Sequence, residues 1–292
     1  MNKTVLVTGA NAGIGFETAK ALAEQGFKVL IHSRTAAKGQ AAKARIQELV
    51  PGADVAVVTA DLGELEQIRA LAAKVNELAP SLDVLVNNAG VWNSKLELSK
   101  EGVEMTLAVN HLAYFYLSHL LYPNLQRAQN GGRIVCVASD SHKQIKGMFW
   151  DDLNLTNQYH GLRSYAQSKL ANVLFIYEFA RRSPSEDQIS AYAVQPGLVQ
   201  TDIGLKGNTW LHRLAWRVRR QMSGHKTPAE GAATSIYLAS NDKVSKATGQ
   251  YWDDCEPKDS YSSSYEEAEA KLLWEWSCNV LGIKDFFVKS GA

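Results

Sequence analysis

The chain has 292 residues, near the upper end of what one hydrophobic core supports, so one large domain accounts for its length. Its 46% hydrophobic and 21% charged content matches soluble globular averages and excludes a fibrous or largely disordered architecture, while a formal charge of +1 excludes the basic footprint of a nucleic-acid binder. Cys136, Cys255 and Cys278 are widely spaced, with no CxxC pair and no neighbouring histidine, and read as reduced thiols rather than a metal site. Met1 to Val7 runs into a strand pattern without a signal-peptide layout. No apolar run approaches the roughly eighteen residues of a membrane span, so the expected compartment is the cytoplasm.

In chain order, short β-branched runs predict strands at Thr4 to Val7, Lys28 to Ile31, Val55 to Thr59, Val84 to Val86 and Ile134 to Val137. Between them, apolar residues at three- and four-residue spacing predict helices over Gly15 to Gln25, Thr35 to Leu49 and Leu65 to Leu78. Strand and helix in alternation imply βαβ units, and continuously apolar strands imply a parallel sheet buried on both faces. The expected fold is a single-domain, doubly wound α/β Rossmann architecture over residues 1–292. A long helix from Ser164 to Arg181, a strand from Ser190 to Val194 and a helix opening at Thr227-Pro228-Ala229-Glu230 follow. That tetrad has a capping Thr, Pro at the first helical position and Glu three residues after the cap. Ser264-Tyr265-Glu266-Glu267 predicts a second capping box, opening a C-terminal helical extension over 264–281. The irregular stretch 201–223 is long for a connection and predicts a substrate lid.

After the first strand comes Thr8-Gly9-Ala10-Asn11-Ala12-Gly13-Ile14-Gly15, opening the first helix. Gly9 permits a tight turn, Gly13 lets backbone approach a pyrophosphate, and Gly15 lets helix and strand pack closely, with the helix N-terminus facing the anion. Gly9, Asn11, Gly13, Ile14 and Gly15 are therefore candidate cofactor contacts. In such folds an acidic residue ending the second strand holds a ribose 2′-hydroxyl, whereas Arg accommodates a 2′-phosphate. Here the strand ends His32-Ser33-Arg34, so NADP(H) is expected in preference to NAD(H), with Ser33 and Arg34 at the adenosine end.

Tyr165-Ala166-Gln167-Ser168-Lys169 places a phenol and an ammonium at i and i+4 on one helix face. A phenol titrates near 10, too high for proton transfer near neutrality, and an adjacent cation lowers it, making Tyr165 a usable general acid or base. Alone, the spacing is common helix decoration.

Taken together, TGxxxGxG over Thr8 to Gly15, Asn87-Asn88-Ala89-Gly90 after the fourth strand, Ser139 after the fifth, YxxxK and Pro196-Gly197 after the sixth resemble the short-chain dehydrogenase/reductase family. The resemblance covers essentially the whole chain. It implies that Ser139 polarises a substrate carbonyl, Tyr165 transfers the proton, and Lys169 binds the nicotinamide ribose and depresses the tyrosine pKa. Asn110 matches the family's asparagine that holds a relay water. Asp61 and Leu62 match the adenine contact, Asn88, Ala89 and Gly90 the cofactor floor, and Pro196, Gly197, Val199 and Thr201 the nicotinamide-amide segment. Ser141 is the alternative to Ser139. In this family the helices carrying Asn110 and Tyr165 often pair subunits into a homodimer or homotetramer.

Arg133-Ile134-Val135, Ser139 followed by His142, the run Ser164 to Phe175, Lys226 to Gly231, Leu273-Trp274-Glu275 and the insertion Asp151 to Asn154 are similar to the retinol dehydrogenase and WW-domain oxidoreductase subgroup. Two departures are the lack of an N-terminal membrane anchor and Gln195, where the subgroup often has His, so a retinoid substrate is not implied. Within 201–223, Trp210, Leu211, Leu214, Trp216 and Val218 form an apolar stripe beside a basic face. That fits a lid over an apolar substrate, a peripheral membrane contact, or a packed surface helix. The expected enzyme is a carbonyl reductase or alcohol dehydrogenase acting on a bulky, largely apolar carbonyl/alcohol pair. A protochlorophyllide-reductase-like enzyme and a non-catalytic dinucleotide-sensing regulator are the alternatives.

Overall fold

The structure, a computed structural model, describes residues 3–197, 199, 226–245 and 247–288. The apolar runs become β1 (Thr4–Val7), β2 (Lys28–Ser33), β3 (Val55–Thr59), β4 (Val84–Asn87), β5 (Arg133–Val137) and β6 (Ser190–Gln195). Every residue of β1, β4, β5 and β6 is buried, as expected of strands covered on both faces. These six pair in parallel in the order β3-β2-β1-β4-β5-β6, and β7 (Gln250–Asp253) continues the parallel sheet beside β6. β8 (Glu256–Pro257) folds back antiparallel on β7. The two residues between them, Asp254 and Cys255, lie at φ 49° and 62°, the left-handed backbone that a two-residue hairpin uses.

The helices are α1 (Gly13–Glu24), α2 (Ala36–Leu49), α3 (Leu65–Leu78), α4 (residues 105–120), α5 (Tyr122–Gln126), α6 (Gly161–Arg182), α7 (Pro228–Ser240) and α8 (Glu267–Leu281). Within α4, Met105–Leu107 and Ala113–Leu120 are α-helical and Ala108–Leu112 form a π turn between them. Alternating strand residues feed two cores. Leu6, Leu30, Leu85 and Ile134 meet residues of α3, α4, α6 and α8 on one face, while Val5, Val7, Ile31, Val86 and Val135 meet α1, α2 and α7 on the other. Because β1 leads to β2 on one side and lies beside β4 on the other, strand order reverses at the β1/β4 boundary. A crevice at the carboxyl ends of the strands opens there, where doubly wound folds bind ligands.

Some boundaries differ from the sequence expectations. α6 begins at Gly161, three residues before Ser164. The Thr227 capping box forms, with Glu230 N donating to Thr227 Oγ1 (3.2 Å) and Thr227 N to Glu230 Oε2 (2.7 Å). The one expected at Ser264 does not. Its hydroxyl is engaged by Ser260 Oγ (2.5 Å) and Tyr261 O (2.6 Å), so a 3-10 turn covers Ser262–Tyr265 and α8 starts at Glu267 without a side-chain cap. After α8, Phe286 closes over α4 and α6, with ring centroids 4.8 Å from Phe115, 6.0 Å from Phe179 and 4.6 Å from Trp274. The lid expected over 201–223 lies outside the described residues.

Candidate active site

The loop between β1 and α1 is shaped by near contacts that only glycine allows. Gly9 lies at φ 66° and Gly13 at φ 59°, and a Cβ on Gly15 would stand 2.4 Å from Asn88 Nδ2 and 2.6 Å from Gly9 O. Beneath it, Thr8 Oγ1 accepts from the amides of Asn88 (2.8 Å) and Ala89 (2.9 Å), while Asn88 Nδ2 donates to Thr8 O (2.8 Å). The ends of β1 and β4 are thus locked together. Gly9 N donates to His32 Nδ1 (3.2 Å), and His32 Nε2 lies 3.0 Å from Ala60 O, so the ring is an Nε2–H imidazole joining the ends of β1, β2 and β3. Burial keeps the His32 pKa below its usual value, as an accepting Nδ1 requires. At the start of α1 the N-cap is Ala12, which offers no side-chain bond, so the first-turn amides are free to receive an anion. This glycine cradle and uncapped helix fit the pyrophosphate of a dinucleotide.

At the end of β2, Ser33 is buried and its hydroxyl donates to Thr35 O (2.8 Å), whereas Arg34 is exposed. Of the two, only the Arg34 guanidinium stands in the open, and Ser33 shapes the turn. After β3, Asp61 Oδ1 accepts from Gly63 N (2.9 Å) and Leu62 is buried, on the same side of the crevice as Arg34. Beyond β6, Gly197 lies at φ 84° against the Lys226 side chain, and Val199 forms a bridge with Lys226. Thr201 lies outside the described residues.

The four chemistry-bearing residues converge beside this cradle. Asn110 is fully buried in the π turn. Its Nδ2 donates to Val91 O and Ser168 Oγ (both 3.0 Å), and its Oδ1 accepts from Val91 N (2.8 Å). Both amide hydrogens are thereby used, so the side chain braces the segment after β4 against α6. Ser139 caps the 3-10 turn Asp140–Gln144, accepting from Ser141 N (3.2 Å), and its hydroxyl favours the ionised form of the Tyr165 phenol. Ser141, 3.1 Å from Ser139 Oγ, is a neighbour in this small hydroxyl network. Lys169, on the same helix face as Tyr165, donates to Val137 O (2.7 Å), with its ammonium 5.5 Å from the Tyr165 ring centroid and 5.8 Å from that of Tyr114.

Electrostatics differ from the sequence expectation. Burial pushes the Tyr165 phenol up to about 12, the Ser139 hydroxyl offsetting part of the rise, and burial pulls Lys169 down to about 7. Lys169 has no carboxylate partner among the described residues; Val137 O, a neutral acceptor, is its hydrogen-bond partner. Desolvation weakens the ammonium itself, and with it the charge expected to depress the phenol. Tyr165 is consequently held protonated, as a donor.

Three residues have supporting roles that the sequence reading does not assign. His142 is buried, its Nδ1 2.7 Å from Ser139 O, and its Nε2 accepts from Tyr261 N (3.1 Å), tying the Ser139 loop to the segment before α8. Tyr114 donates to Ala89 O (2.8 Å), and Thr8 is the hub described above. Each acts through a partner far away in the chain, which no local pattern records. Among the described residues no group of His, Cys, Asp and Glu side chains is arranged to hold a metal, and no helix is long and apolar enough to cross a membrane.

Comparison with known proteins agrees with this geometry. The family model for short chain dehydrogenases matches residues 3–211. Mouse retinol dehydrogenase 14 is 35% identical, covering 96% of this chain and 86% of its own length, and bovine retinol dehydrogenase 12 is 37% identical over 97% and 87%. A crystal structure of an uncharacterised protein from Mycobacterium paratuberculosis superposes with a TM-score of 0.76 at 29% identity, covering 96% of this chain and 93% of that one. A short-chain type dehydrogenase/reductase from Mycobacterium marinum shares the fold, with a TM-score of 0.68 at 23% identity over 85% of this chain and 92% of its own. The chain belongs to the short-chain dehydrogenase/reductase family, NAD(P)-dependent oxidoreductases that act on alcohol and carbonyl groups.

Proposed function

We propose that the chain is an NADP(H)-dependent carbonyl reductase or alcohol dehydrogenase acting on a bulky, largely apolar carbonyl/alcohol pair, with Tyr165 as general acid/base. The observation that carries this is the meeting of the Ser139 hydroxyl, the Tyr165 phenol and the Lys169 ammonium at the carboxyl end of β5, beside the glycine cradle. When bound, the nicotinamide supplies or accepts hydride at the carbonyl carbon. Ser139 polarises the carbonyl oxygen and Tyr165, held protonated, delivers the proton to it. Lys169 holds the nicotinamide ribose, and Asn110 orients α4 against α6. Gly9, Asn11, Gly13, Ile14 and Gly15 receive the pyrophosphate, Arg34 the 2′-phosphate, Asp61 and Leu62 the adenine, Asn88 to Gly90 the cofactor floor, and Pro196 to Thr201 the nicotinamide amide. Preference for NADP(H) over NAD(H) rests on exposed Arg34 where a carboxylate would otherwise stand.

The apolar substrate class rests on the aromatic and aliphatic stripe of 201–223, which in this proposal is a lid, with peripheral membrane contact as its competitor. We expect a cytoplasmic protein. Trp274 and Phe286 cover α4 and α6, so a homodimer or homotetramer would use another surface.

The test is NADPH oxidation by the full chain against a panel of aldehydes, ketones and quinones, retinal included because the relatives named above are retinol dehydrogenases. Apolar carbonyls should be consumed, and Tyr165→Phe should lower turnover about 10²- to 10⁴-fold while NADPH still binds. Unchanged turnover in that variant would overturn the mechanism. NADPH binding with no turnover on any carbonyl would mark a dinucleotide-sensing regulator instead.

A further inference from the structure

One buried carboxylate takes no part in the chemistry above. Glu104, at the N-cap of α4, is 0% exposed. Its Oε2 accepts from Leu107 N (2.8 Å) and from Ser164 Oγ (2.6 Å), and its Oε1 from the Tyr159 hydroxyl (2.9 Å). Its own amide donates to Asn154 Oδ1 (2.8 Å). Among the described residues no Lys or Arg pairs with it, so three hydrogen bonds and the positive end of α4 hold its charge. Ser164, itself buried, immediately precedes Tyr165 in the first turns of α6, and Asn110 follows Glu104 by six residues within α4.

We propose that Glu104 is a positioning residue that sets Tyr165 against Asn110 and Ser139, acting through Ser164; this rests on the catalytic roles proposed above. Among the described residues the carboxylate is the one side chain that bonds the start of α4 and the start of α6 simultaneously. A carboxylate suits its surroundings, because its two oxygens accept from one N–H and two O–H groups. A glutamine there would turn N–H against at least one of these donors. The two helix starts would then separate, and with them the phenol from the carbonyl-binding hydroxyl, while the β1–α1 cradle on the other side of the crevice stays intact.

The experiment compares wild type, Glu104→Gln, Ser164→Ala, their double variant and Ser164→Thr in the full chain. Turnover and NADPH dissociation constants are measured, together with the ¹³Cζ resonance of labelled Tyr165, assigned with Tyr165→Phe. Ser164→Ala should lower kcat about tenfold with NADPH affinity within about twofold, and Ser164→Thr should restore most of it. Glu104→Gln should move the Tyr165 resonance in the wild-type background and leave it in place when Ser164 is already Ala. Equal movement in both backgrounds, or a Ser164→Ala variant with unaltered resonance, overturns the proposal. The resonance is independent of turnover, so a wild-type chain inactive on every carbonyl refutes the enzyme assignment without deciding this one. Should Glu104→Gln fail to fold, the Ser164→Ala and Ser164→Thr pair decides.

Discussion

Lys169→Met tests whether the active site is carried against the fold's own stability. Lys169 is 2% exposed, and its ammonium has one backbone acceptor, Val137 O at 2.7 Å, with two tyrosine rings beside it. Burial lowers its pKa from 10.5 to about 7. At about 1.36 kcal/mol per unit, that corresponds to roughly 5 kcal/mol favouring the neutral amine. The unfolded chain keeps the proton up to its ordinary pKa, whereas the folded chain releases it near 7. The penalty is therefore absent above the unfolded pKa, grows as pH falls through the window between, and levels off below the folded pKa. Methionine fills a similar volume without a charge and leaves Val137 O with only the 3.4 Å bond from Asn172 Nδ2, a loss of about 1–3 kcal/mol. The net expectation is a variant that is inactive yet more stable by about 2 kcal/mol near pH 7, its advantage shrinking by about 2 kcal/mol on going to about pH 9. Urea unfolding of both proteins without NADPH, followed by tryptophan fluorescence, reads this directly. A stability difference that is the same at both pH values, or a less stable variant near neutrality, would refute the account of Lys169 as a desolvated amine.

Two further outcomes follow from the cofactor side. Arg34→Asp should weaken NADPH and strengthen NADH, moving the ratio of their dissociation constants by about 10- to 100-fold; an unmoved ratio, read by fluorescence titration, would show that Arg34 does not meet a 2′-phosphate. Gly15→Ala places a Cβ 2.6 Å from Gly9 O and 2.4 Å from Asn88 Nδ2. It should cost about 1–3 kcal/mol in urea unfolding and reduce NADPH affinity, whereas a silent substitution would mean the cradle is not close-packed.

The strands and the cradle were legible because their signals are local. Val5 to Val7 and Leu85 to Val86 are continuously apolar, and Gly9, Gly13 and Gly15 announce a turn before a helix. β7 and β8 were not legible, since Gln250–Asp253 and Glu256–Pro257 are too short and polar to stand out, and Tyr251 and Trp252 become strand residues only because β6 lies alongside them. Ser264 shows the opposite failure: its spacing to Glu267 satisfies a capping box, but Ser260, four residues earlier, claims the hydroxyl. Tyr165 and Lys169 could be placed on one helix face from their spacing. Their ionisation could not, because it depends on how much protein surrounds them. Glu104 has partners at 107, 159 and 164, and only folding brings the last two to it.

The π turn at Ala108–Leu112 also bears on how such a site is lost. A π turn is an α-helix that carries one residue more than its winding needs. Deleting a single residue there would restore ordinary winding, leave the two halves of α4 facing as they do now, and shift the side chains within the turn, Asn110 among them. The flanking segments, with Glu104 at one end and Ala113–Leu120 at the other, would stay packed while Asn110 lost registry with Val91 and Ser168. Among descendants of this chain, a one-codon deletion in this turn would thus be a short route from an enzyme to a folded, cofactor-binding protein without turnover.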